Sequence, residues 1–375
     1  MNDRPKTLVS LFGDLCVTSP YYHCRSCGAG EKPWEDKLRI GKRRVTAAAA
    51  EAISLAGLLT SFGRAQDQTL LKLTGIRVSE STVQRVTEDA GEALAQRQAA
   101  KETFGPEKPW DWQHDARGET CGYASLDHVS VPQQGPKGAQ AEGRMAAVAM
   151  VYNPQSKHDE KLPRDYDQVR YLAGFYELSA LGLELRRQAA QVGWDDLGQQ
   201  LGISDAGNGL EDFLRTNFPL SERMLDFYHA SEHVGPLAQA LHPGDSANAS
   251  AQTQAWCHTL KHEGGPALRK IFEQLDTTDW NADRLETHRC ELQYFRNHEH
   301  KMDYPRYLAN GWQIGSGPIE SGCKRVVTQR LKGAGMRWGE RGSNAMCHLH
   351  ALLLSESTQW NDFWERHPKE FHLQN

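Results

Sequence analysis

The chain has 375 residues and a mass of 42.1 kDa, enough for two or three domains. Hydrophobic residues at 39% exclude wholesale disorder, and 33 glycines with 16 prolines exclude a collagen-like or low-complexity chain. The net charge of −5 predicts no polyanion partner from the global balance, so any such contact must come from local patches.

The first residues, Met1-Asn-Asp-Arg-Pro-Lys6, lack the apolar core of a signal peptide, and a cytoplasmic protein is expected. Thr7–Phe12 and Cys16–Ser19 alternate around Gly13-Asp14, a hairpin signal. Tyr22-His-Cys24-Arg-Ser-Cys27-Gly follows. Cys-x-x-Cys lets two thiolates reach one tetrahedral zinc ion, and the glycine permits the tight turn; the rival readings are a redox pair and a purely structural turn. The other six cysteines stand singly, which argues against a disulfide framework. Residues 1–36 are read as this knuckle-like β segment.

Residues 37–100 read as a helical, DNA-binding unit. Lys37–Arg44 holds five basic residues in eight, including Lys42, Arg43 and Arg44. Thr46 precedes an alanine-rich amphipathic run to Leu59, too short and too interrupted to span a bilayer. A second helix is predicted over Arg64–Leu73, and Ser79 caps a third through Arg97. Helix, short glycine-containing turn and Ser-capped helix form a helix-turn-helix pattern, with a plain helical bundle as the alternative. Arg77, Gln84 and Arg85 are expected to face a DNA groove. Residues 101–121 are read as a linker.

From 122 to 375 the period changes. Strands are predicted at Tyr123–Val131, Arg144–Tyr152, Arg170–Phe175, Gln199–Asp205 and Arg223–Tyr228, with helices at Ser179–Val192 and Leu210–Phe218. Helices dominate about 230–310, and Gly315-Ser-Gly-Pro318 opens a last helix through about Leu331. The order β-β-β-α-β-α-β with a helical insertion matches a ribonuclease-H-like α/β fold. Three acids stand in register: Asp127 late in the first strand, Asp205 after the fourth, and Glu320 in the first turn of the late helix. Together they would bind two divalent cations, Mg2+ or Mn2+, for phosphodiester chemistry. Taken singly, each also suits a turn, a helix end or a surface.

The segment Trp312-Gln-Ile-Gly-Ser-Gly-Pro-Ile-Glu320-Ser-Gly-Cys-Lys324, continuing to Trp338, resembles the C-terminal signature of the ISKra group of bacterial insertion-sequence transposases, DDE enzymes related to Mutator-like transposases. Tyr22-His-Cys-x-x-Cys27, Gly75-Ile-x-Val-Ser79, Asp127, Ser204-Asp205 and Asp226-Phe-Tyr-His-Ala-Ser-Glu-His233 fit that family in order, so the resemblance covers nearly the whole chain. It implies a ribonuclease-H-like core, two catalytic metals, cleavage and joining of double-stranded transposon-end DNA by a homo-oligomer, and a triad of Asp127, Asp205 and Glu320. The family carries a further Cys-x-x-Cys upstream, so the resemblance also implies an incomplete zinc site and a truncated, inactive or domesticated DNA-binding copy as the alternative.

Adjacent strands lie about 4.8 Å apart, and metals shared by two carboxylates about 3.5–4 Å apart, which favours Asp205 over Asp226 beside Asp127. Asp226, His229 and Lys324 are then supporting residues; Lys324 would contact the scissile phosphate or pair with Glu320. Arg330, Lys332 and Arg337 form a second basic patch. Trp338 is read either as a base-stacking platform or as core. His229-x-x-Glu232-His233 also matches an inverted zinc-peptidase motif, with Glu291 or Glu299 as a third ligand. That reading leaves Asp127, Asp205 and the Glu320 segment unexplained.

Overall fold

The computed structural model describes residues 4–19, 21–31, 44–154, 168–205, 207 and 209–366. It is a mixed α/β structure built on a five-stranded sheet. Two small hairpins precede the helices. Strands β1 (Arg4–Ser10) and β2 (Gly13–Ser19) pair antiparallel, as the alternation predicts, but Leu11 and Phe12 make the turn and Gly13 already pairs with Ser10. Strands β3 (Tyr22–His23) and β4 (Gly30–Glu31) frame the two-cysteine turn.

Thr46 caps α1 (Ala47–Leu59) by accepting the Ala49 amide, a cap worth about 1 kcal/mol. Then α2 (Phe62–Arg64) runs into a π-helical stretch, Ala65–Thr74. Ser79 accepts the Thr82 amide and opens α3 (Glu80–Ala99) as predicted. This helix presses onto a late helix of the core: a Cβ at Gly91 would stand 2.1 Å from the Ala345 carbonyl oxygen, so only glycine allows the approach. The span expected to be a linker is packed instead, because its aromatics find partners. Phe104 is fully buried, and the Trp112 indole donates to the Val192 carbonyl at 2.9 Å.

The main sheet contains β5 (Cys121–Gln134), β6 (Gln140–Tyr152), β7 (Val169–Gly174), β8 (Gln199–Ser204) and β9 (Glu222–Leu225), in the order β7-β6-β5-β8-β9. The first three run antiparallel; β8 and β9 join parallel to β5, after α4 (Leu178–Gln191) and α5 (Leu210–Asn217). Side chains alternate between faces. Tyr123, Val129 and Val131 of β5 enter one core, and Ala124 and Leu126 enter the other, against α4 and α5. The first core is closed by the late helices and the insertion.

The insertion comprises α6 (Phe227–Glu232), α7 (Gly235–Leu241), α8 (Ser246–Glu263), α9 (Gly265–Glu273), α10 (Ala282–His298) and α11 (Tyr304–Ala309). The predicted fifth strand stops at Leu225 rather than Tyr228, because Asp226 caps α6. A single helical rod follows: α12 (Gly317–Cys323), a π-helical stretch (Lys324–Thr328) and α13 (Gln329–Leu331). Helices α14 (Glu340–Leu354) and α15 (Ser357–Glu365) close the structure. Among the described residues, no helix is long and apolar enough to cross a membrane.

Candidate functional site

Register brings the acids to one end of the sheet. The last β5–β8 pair is Ser125 with Ile203, and two steps further along each strand stand Asp127 and Asp205. The last β8–β9 pair is Ser204 with Leu225, and one further step gives Asp205 and Asp226. Asp127 has the same parity as Tyr123 and Val129, so it projects toward the face on which the rod packs. Asp127, Asp205, Asp226 and Glu320 line one cleft of about 120 Å3, together with Tyr228, His229, Glu232 and Ser316.

Each carboxylate is held by its own donors. Asp127 accepts the His128 amide at 2.6 Å and the Cys323 thiol at 3.5 Å. Burial first, and then the Asp127 charge, push the Cys323 thiol well up, which keeps it a protonated donor. Asp205 is half-buried and accepts the Gly207 amide at 2.8 Å in an Asx turn. Glu320 is exposed, and its carboxylate accepts the Ser316 hydroxyl at 2.6 Å.

Asp226 differs. It is 2% exposed and accepts three backbone amides: Tyr228 at 3.3 Å, His229 at 3.0 Å and Ser316 at 2.8 Å. Two of these satisfy the start of α6, and the third pins the strap that leads into the Glu320 helix. Phe227 adds a bond from its amide to the Ile314 carbonyl at 2.8 Å. Gly315 lets the strap run close under the exposed Tyr228 ring, which a Cβ there would meet at 2.7 Å and push aside. Asp226 thus acts on the cleft by fixing the segment that carries Ser316 and Glu320.

The insertion supplies Tyr228, His229 and Glu232 to the cleft, and an aromatic stack stands beyond them. Tyr294 of α10 stacks on His233 with ring centroids 3.5 Å apart, and its hydroxyl has no partner among the described residues. Burial, followed by the charges of Asp205 and Asp226, pushes the phenol up, so it stays protonated. Among the described residues no three His, Cys, Asp or Glu side chains are drawn up around one point. Like charges without a cation between them repel, and the local donors hold each acid separately. The set itself is all oxygen and anionic, which suits Mg2+ or Mn2+ rather than a soft metal.

The chain matches no protein-family model and no curated protein sequence.

The remaining sequence candidates fall into three groups. Arg44, Arg77, Gln84, Arg85, Lys324, Lys332 and Arg337 are exposed; Gln84 bonds the Glu88 carboxylate at 2.9 Å. Lys42 and Arg43 lie outside the described residues. Arg330 and Trp338, expected at a DNA surface, are instead buried at 6% and 7% exposure, because each fills the seam between the helical unit and the sheet. For Trp338 the core reading is the correct one: its indole donates to the Leu331 carbonyl at 2.9 Å.

In the His-x-x-Glu-His segment, His229 belongs to the acid cleft. His233 is bonded through Nδ1 to Glu291 at 2.8 Å, and Glu299 is taken by Arg269. Cys24 and Cys27 are exposed at their turn, with the Cys24 amide donating to Ala29 and that of Gly28 to Cys24. Hydrogen bonding from Ser26, then from Cys27, lowers the Cys24 thiol to about 6. Sequence reasoning missed Ser316 and Cys323 as participants. Both sit inside the Glu320 signature, four residues before and three after the acid.

Proposed function

We propose that the protein is a DDE-type transposase with a ribonuclease-H-like catalytic core, acting on double-stranded DNA at the ends of an insertion sequence. The observation that carries this reading is the cleft that joins Asp127 and Asp205, from neighbouring parallel strands of a β7-β6-β5-β8-β9 sheet, with Glu320 from the helix laid across them. The strand order, with three antiparallel strands followed by two parallel ones, supports a ribonuclease-H-like reading.

Asp127, Asp205 and Glu320 would hold a pair of Mg2+ or Mn2+ ions, which supply activation of the nucleophilic oxygen and charge neutralisation on the leaving oxygen. Ser316 and Cys323 orient Glu320 and Asp127 through single hydrogen bonds, and Asp226 holds the strap between strand and helix. Exposed Lys324, one turn beyond Glu320, would meet a phosphate or pair with Glu320. Arg44, Arg77 and Arg85 of the helical unit would carry backbone contacts to the duplex. The Cys24–Cys27 turn would give two thiolates to a zinc ion.

The test is nicking of a duplex carrying the repeats that flank this reading frame, with Mg2+ or Mn2+. Asp127→Ala, Asp205→Ala and Glu320→Gln should each lower cleavage about a thousandfold or more while leaving DNA binding intact. Substantial cleavage by any variant would remove that residue from the triad. DNA binding without cleavage by the unaltered protein would leave the domesticated binding derivative. Casein hydrolysis with zinc would favour the peptidase.

A further inference from the structure

Arg330 is buried where three parts of the molecule meet. Its guanidinium carbon stands 4.7 Å from the Phe62 ring centroid and 5.0 Å from that of Trp338, so the cation is held between two aromatic faces. Its Nε donates to the Gly57 carbonyl of α1 at 2.9 Å, and its Nη2 has no partner among the described residues. Trp338 in turn bridges to β5: its amide donates to Pro132 at 3.1 Å, and its carbonyl accepts the Gln134 amide at 2.8 Å. Arg330 lies near the end of the rod that carries Glu320 at its start, and β5 carries Asp127.

A buried guanidinium with no carboxylate partner among the described residues is costly, and an apolar residue of similar size would fill the seam more cheaply. Burial lowers its pKa to about 10, so it keeps its charge at neutral pH. Stability alone therefore gives little reason for an arginine here. Its contacts do one other thing: they fasten the helical unit to two of the three elements that bear triad acids, the rod and β5.

We propose that Arg330 is a positioning residue that makes the placement of Glu320, and through Trp338 that of the Asp127 strand, depend on how the helical unit is seated. DNA held by that unit then sets the competence of the cleft. This rests on the transposase reading above, and the experiment separates the two.

Cleavage by the unaltered protein and by Asp205→Asn on the same flanking-repeat duplex tests the reading. An inactive parent, or an Asp205→Asn variant as active as the parent, overturns the reading and the coupling with it. Given an active parent and an inactive Asp205→Asn, Arg330→Met tests the coupling alone. It should bind the duplex with nearly the parent's affinity, with KM unchanged and kcat lowered about tenfold or more. Hydrogen exchange in residues 317–331 should slow on DNA binding in the parent and fail to respond in Arg330→Met. Arg330→Lys should recover part of both effects. A parental kcat with a parental exchange response would overturn the coupling, and so would equal losses of binding and cleavage. If Arg330→Met does not melt cooperatively, Phe62→Leu replaces it, removing one ring face and leaving the charge and the Gly57 bond. A folded Phe62→Leu with the parent's kcat and exchange response would equally overturn it.

Discussion

The acid cleft and the Arg330 seam lie at opposite ends of one helical rod, and they treat their polar groups in opposite ways. In the cleft, Asp205 and Glu320 stay partly or fully exposed, each tied by one local donor among the described residues. In the seam, Arg330 is sealed between aromatic rings, and His350 of α14 is buried within reach of its charge; His348 is buried on the same helix against Gln98 and Tyr176. Spare acceptor capacity next to water suits a site that must receive a cation. Sealed polar groups suit a joint that must hold its shape. The difference separates groups available to a ligand from groups committed to the fold, and it can be broken or sharpened by experiment.

The largest stability effect belongs to the sealed side. Burial pushes His348 and His350 down to about 4. Their folded values lie below the unfolded value of about 6.5, so the unfolded chain binds more protons between those limits. The stability they contribute is complete above about pH 6.5 and is lost as pH falls toward 4, by up to roughly 3 kcal/mol for each histidine. Denaturant melts across that window should show the loss, and His348→Gln should remove about half of the slope. A pH-independent midpoint would place both rings in contact with solvent.

Asp226 stands between the two regimes, buried like the seam yet lining the cleft. Asp226→Ala strands three backbone amides and should cost roughly 2 kcal/mol, while Asp226→Asn keeps an acceptor and should cost about half of that. Both should lower cleavage, because the strap before Glu320 loosens. A variant with parental stability would mean that these amides find water.

The smallest effect belongs to the open surface. Arg77→Ala and Arg85→Ala should leave stability within about 0.5 kcal/mol, and each should reduce the salt slope of DNA binding by about one. An unchanged slope would return both to ordinary solvated positions.

Much of the sheet was legible because its periods are strong. Alternation marked β5, short strands were expected near β6 and β7, Ser79 marked the start of α3, and the acids Asp127 and Asp205 fall in register once β8 pairs with β5. What escaped was decided by tertiary contact. The fifth strand ends early because the Asp226 side chain competes for the backbone amides of the next turn. The expected linker is packed because Phe104 and Trp112 find a core that the linear sequence does not display. Arg330 reads as a surface cation in any local window, since charge alone does not reveal two aromatic faces contributed by residues 62 and 338. Tyr294 comes within the field of Asp205 and Asp226 from an insertion whose docking no short pattern encodes.

The central claim is that Asp127, Asp205 and Glu320 form one divalent-cation site, and it can be tested without knowing the DNA sequence. Fe2+ in place of Mg2+, with ascorbate and peroxide, generates hydroxyl radicals that cut the backbone close to the bound ion. The account predicts cuts beside Asp127, Asp205 and Glu320 together, suppressed by excess Mg2+ and lost in Asp205→Ala. Cuts confined to the His229–His233 segment, or no Mg2+-sensitive cuts near the three acids, would contradict it.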